Sequence, residues 1–147
     1  MPELANTSRT PRPEFRNINI FKDVRGYRMP PAAYASILHR ISGVLMFVLL
    51  PFIVWMFNTS TSPDLFAKFT GVFASGCSFV PGWFFKLVAL ALIWAYLHHF
   101  ICGLRFLVMD TSHGKVTKEF GRLSAIFTIA VSIVLTIVLG AKLFGLY

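Results

Sequence analysis

Three stretches of this chain are too apolar and too long for an ordinary soluble core. Residues 41–57 and 123–141 contain no Asp, Glu, Lys or Arg, and residues 82–109 contain only Lys86 and Arg105. About 20 apolar residues are needed to cross the hydrocarbon of a bilayer, and inside it the backbone must satisfy its own hydrogen bonds. Each stretch therefore predicts a membrane-crossing helix. Charged residues make up 14% of the 147 residues, against about 25% in soluble domains. The sequence thus predicts an all-α membrane protein with helices over residues 34–57, 82–109 and 123–143. Pro51, in the middle of the first, predicts a kink whose freed carbonyl neighbouring helices can serve.

The rest divides around these spans. Residues 1–33 form a polar N-terminal arm, and Pro30 and Pro31 mark the start of the transmembrane domain, residues 34–147. Residues 58–81 connect the first two spans through Asn, Ser, Pro and Gly, with LFAKF as a candidate interfacial helix. Arg9, Arg12, Arg16, Lys22, Arg25, Arg28 and Arg40 precede or open the first span, and Arg105, Lys115, Lys118 and Arg122 lie between the second and third. Only Lys68, Lys86 and Lys142 lie on the other side. This asymmetry predicts the N-terminus inside and the C-terminus outside. The net charge of +8 is therefore a topology signal and not a nucleic-acid signature. Cys77 and Cys102 form no CxxC, so no zinc knuckle or covalent haem attachment is encoded. The first residues lack the apolar core of a signal peptide.

Ionisable groups at membrane depth are costly and usually face a partner or a cavity. Here they are Ser36, His39 and Arg40 in SILHRISG, with His98, His99 and Arg105 in WAYLHHFICGLRFLVMD. Ser36 and Arg40, four apart, share a helix face, with His39 on the adjoining edge. Together they suit a polar ligand, such as a quinone oxygen or a carboxylate. Taken alone, Arg40 can equally snorkel to lipid phosphate. His99 has no acid at its depth to pair with. Two readings follow: a neutral imidazole on haem iron, with Gly103 leaving room for a flat macrocycle, or an imidazole bonded to a neighbouring helix's carbonyl, with Gly103 a packing residue. His98 points about 100° away from it and cannot serve the same iron. If haem binds with two axial ligands, the second must come from another chain.

SILHRISG, with Arg12 and Pro13 upstream, and HFICGLRFLVMD, carrying His99, Gly103, Arg105 and Asp110, resemble the cytochrome b556 membrane subunits of succinate dehydrogenase (complex II). The likeness rests on two short signatures, S-x-x-H-R-x-[ST] and H-x-x-x-G-aliphatic-R. They occur in that order, about sixty residues apart, on the first two spans, and the likeness extends over nearly the whole chain. It implies that His99 is the axial ligand of haem b, that His39 and Arg40 lie near the haem propionates, and that Ser36 and Arg40 contact the quinone, ubiquinone or menaquinone. It further implies a hetero-oligomeric helix bundle. A sister anchor subunit gives the other haem ligand, an iron–sulfur subunit and an FAD-bearing flavoprotein dock on the inner face, and the dicarboxylate site lies outside this chain. Two departures stand out. KDVRGYRMPP lengthens the segment before Ser36, and Thr111 and Ser112 follow Asp110 where the family usually has a small apolar residue.

The expected function is a membrane anchor that passes electrons from the iron–sulfur subunit to quinone in a bacterial inner membrane. The alternatives are a complex II or fumarate reductase anchor with a quinone site and no haem, a membrane scaffold unrelated to electron transfer, and a channel. The last has little support, because no chain of acids crosses the membrane.

Overall fold

The computed structural model describes residues 19–23, 26, 28–112 and 116–146. Arg9, Arg12, Pro13, Arg16, Arg25, His113 and Lys115 lie outside the described residues. Among the described residues the chain is helical throughout, with no strand. The helices are α1 (Ile20–Asp23), α2 (Pro31–Val48), α3 (Leu50–Ser60), α4 (Pro63–Ser75), α5 (Gly82–Thr111) and α6 (Lys118–Leu143). Three of them, α2, α5 and α6, are long and apolar enough to cross a membrane.

The first span begins earlier than expected. Pro31 is its first helical residue, with Pro30 as an extended N-cap. Pro is harmless there, since the first N–H of a helix has no intrahelical partner to lose. Pro51 does more than bend the span. Leu49, at φ −88° and ψ 8°, leaves helical geometry and separates α2 from α3. The Pro51 ring would collide with the carbonyl four residues earlier in a straight helix, and moving Leu49 relieves that clash. The backbone remains bonded across the joint, from Leu49 N to the Leu45 carbonyl and from Ile53 N to the Leu49 carbonyl, both at 3.0 Å.

After the first span, α4 runs across to α5. Gly82 makes the junction possible: a Cβ on it would lie 2.5 Å from the Phe73 carbonyl oxygen. At the far end of α5, the Thr117 hydroxyl accepts from Phe120 N and caps α6.

The centre of the bundle is built from small residues. Ala35, Cys102 and Ala125 are wholly buried where α2, α5 and α6 meet. Ala95, Ser42 and Ser132 are also wholly buried. Without a hydrophobic drive between helices in lipid, close backbone approach and interhelical hydrogen bonds hold such bundles together. Large apolar side chains point outward instead, among them Phe47, Phe127 and Ile137. The hydroxyls of Thr128, Ser132 and Thr136 donate back to their own helix's carbonyls, which lets them sit at membrane depth.

Candidate functional site

The seam between α2 and α5 gathers most of the polar groups that the sequence singled out. His99, partly buried on α5, brings its Nδ1 to 3.1 Å from the His39 carbonyl oxygen and 3.3 Å from the Ser42 hydroxyl on α2. The Ser42 hydroxyl donates to the same His39 carbonyl at 2.8 Å. A carbonyl oxygen only accepts, so Nδ1 must carry the proton that it shares with His39 O. The geometry therefore assigns the Nδ1–H tautomer of neutral His99. Nε2 is left as a lone pair, with no hydrogen-bond partner among the described residues.

Local sequence explains why the two helices meet this closely. Gly43 faces the His99 ring, and a Cβ there would lie 3.1 Å from His99 Cε1. Gly103 is under no such constraint: a Cβ there would make an ordinary contact, 3.8 Å from His39 Nε2. The His39 and His99 rings stack at 4.1 Å with 10° between their planes. Phe106 meets His39 edge-on at 5.3 Å. An open groove of about 480 Å³ lined by His39, Gly103, Phe106 and Asp110 continues from this cluster.

These observations bear on whether an iron porphyrin fits. Histidines that ligate metal almost always donate the other ring N–H to a carbonyl, carboxylate or water. His99 has that arrangement, with a partly buried ring and an Nε2 that has no hydrogen-bond partner among the described residues. Among the described residues no three potential metal ligands cluster, so His99 suits an iron already held by a macrocycle and not a bare ion. His39 lies flat against one face of His99, which puts both rings on one side of any iron bound at Nε2. The residues of this seam would offer such an iron one ligand, His99.

Ser36 and Arg40 stand one turn apart on α2. Ser36 is partly buried and Arg40 exposed, and neither forms a side-chain hydrogen bond or ion pair with any described residue. The structure thus brings His39 to His99 and leaves Ser36 and Arg40 unengaged beside them. His98 turns the other way. It is wholly buried, its Nδ1 lies 3.1 Å from the Ser132 hydroxyl of α6, and it stacks on Trp94 at 5.6 Å. Its Nε2 has no hydrogen bond of ordinary geometry, although it lies toward the Ala35 carbonyl of α2. Arg105 also serves packing: Nε donates to the Ser124 hydroxyl at 2.9 Å and Nη2 to the Gly121 carbonyl at 3.1 Å.

Sequence reasoning met Ser42 as the last position of the S-x-x-H-R-x-[ST] signature but gave it no role, and it gave none to Gly43. The two stand three and four residues after His39 on the same helix. That a histidine from another helix would arrive opposite them is a tertiary fact.

The sequence profile described as the succinate dehydrogenase/fumarate reductase transmembrane subunit matches residues 9–139. A succinate dehydrogenase cytochrome b556 subunit from Coxiella burnetii (strain RSA 493 / Nine Mile phase I) is 30% identical over 126 residues, covering 85% of this chain and 94% of that protein. A protein of the same description from Paracoccus denitrificans is 29% identical over 135 residues, covering 91% and 93%.

Proposed function

The chain belongs to the succinate dehydrogenase/fumarate reductase transmembrane subunit family, and from that premise we propose that it anchors the enzyme in a bacterial inner membrane, holds one side of a haem b and contributes to a quinone site. The relatives' description as cytochrome b556 subunits supports the haem. The observation that supports the reading is the bond from His99 Nδ1 to the His39 carbonyl, which leaves Nε2 without a hydrogen-bond partner among the described residues.

When bound, haem b supplies a one-electron redox centre at membrane depth. The chain's own residues do the rest. The His39 carbonyl and the Ser42 hydroxyl fix the tautomer and rotation of His99 and raise its basicity. His39 and Arg40 lie at the edge where acidic propionates would need a cation. Ser36 donates to a quinone carbonyl oxygen, and Arg40 stabilises negative charge developing on it. The basic ends of α2, α5 and α6 face the inside, where the iron–sulfur and flavoprotein subunits dock. A sister anchor subunit gives the second axial ligand.

A second reading has an observation in its favour: the bond from His99 to the His39 carbonyl also describes a histidine that merely joins two helices, in a quinone-binding anchor without haem. The reduced-minus-oxidised spectrum of the membrane complex decides between them. Wild type is expected to show a low-spin haem b and His99→Leu to lose it. A complex that assembles with no haem band, or a band untouched by His99→Leu, overturns the haem assignment.

A further inference from the structure

At the end of the bundle away from Arg40, a lateral cavity of about 720 Å³ lies outside the site described above. Met46, Ile53, Phe69, Phe73, Ile93 and Leu139 contribute to its wall, from five helices, and Lys86 is the only charged residue in it. Lys86 forms no ion pair among the described residues, and its Nζ sits 5.6 Å from the Phe144 ring. On α5 the wall runs from Lys86 to Leu97. Those 11 positions (97 − 86) cover about 16 Å at about 1.5 Å per residue. That is about half of the ~30 Å hydrocarbon core, the depth of one leaflet.

The cavity is thus one leaflet deep, apolar along its length and cationic at its outer end. We propose that it holds one acyl chain of an anionic phospholipid, with the phosphate on Lys86. Charge selects this occupant. A cation left unpaired at the edge of hydrocarbon is best met by an anion whose own tail fills the space below it. A neutral quinone offers no such anion, and its polar partners Ser36 and Arg40 are at the other end of the bundle. The surroundings suit a headgroup level as well. Trp55, Phe69 and Phe73 form an aromatic chain at 5.2 Å and 4.8 Å, and α4 turns Phe69 and Phe73 to the cavity and leaves Asp64 and Lys68 exposed. Such amphipathic and aromatic elements gather at the membrane interface.

The test uses the intact complex in nanodiscs of phosphatidylcholine containing a small fraction of phosphatidylglycerol, with retained lipids counted by native mass spectrometry. Wild type is expected to keep one phosphatidylglycerol per chain in preference to phosphatidylcholine. Lys86→Gln should lower that preference about fivefold, and Lys86→Arg should keep it. Ile93→Trp, which narrows the cavity midway along its length and leaves Lys86 in place, should lower the retention of the lipid. Equal retention in wild type, Lys86→Gln and Ile93→Trp overturns the proposal, as does a sister-subunit helix found in the cavity. Because the readout is lipid, it fails or succeeds independently of the haem assignment.

Discussion

The hydroxyl of Ser42 has one proton, and the His39 carbonyl takes it. What remains for His99 is a pair of acceptors on one side of its ring, and this decides which nitrogen is free. Ser42→Ala removes one acceptor and the group that steadies the other. It is expected to lower haem affinity about 10-fold or more and to shift the haem midpoint, while Ser42→Thr restores both. Haem per complex and a redox titration check this. Gly43→Ala sets a methyl group 3.1 Å from His99 Cε1, so the ring must turn. It should change the haem's spectral signature with the complex still assembled. At this scale His99 stood out in the sequence because a histidine without a nearby acid needs an explanation at membrane depth. Ser42 did not, because a helical serine usually bonds its own backbone, as this one also does.

The helices themselves were easier to read. Length and the lack of charge identify α2, α5 and α6, since hydrocarbon tolerates little else. Their ends were harder. Pro31 was read as a boundary although a first-turn proline costs nothing, and Pro51 as a kink within one helix although the turn at Leu49 divides it. The junction between α4 and α5 was not legible at all, because it depends on how near Gly82 comes to the Phe73 carbonyl. Gly82→Ala forces two backbones apart. It is expected to destabilise the bundle by about 1–3 kcal/mol, seen as a lower unfolding temperature of the purified complex, with the haem spectrum of the folded fraction unchanged.

Taken whole, the chain is a three-helix bundle that covers one flank of its own polar cluster. His39 and His99 stack on the same side, so no histidine of this seam can stand opposite His99. Expressed without its sister subunit, the chain is expected to show no low-spin bis-imidazole spectrum. Co-expression should restore it, and a low-spin spectrum from the isolated chain would mean that both ligands lie within it. The expectation of a partner came from a count of deep histidines. The stacking of His39 on His99 was not legible in that count.

Two neighbouring imidazoles with the same intrinsic chemistry share α5, and the fold treats them as opposites. His98 is closed in between helices with Ser132, while His99 keeps one nitrogen open. Access and not intrinsic affinity distinguishes them, so under the proposed haem reading a prosthetic group arriving from the lipid would find a single address in this pair.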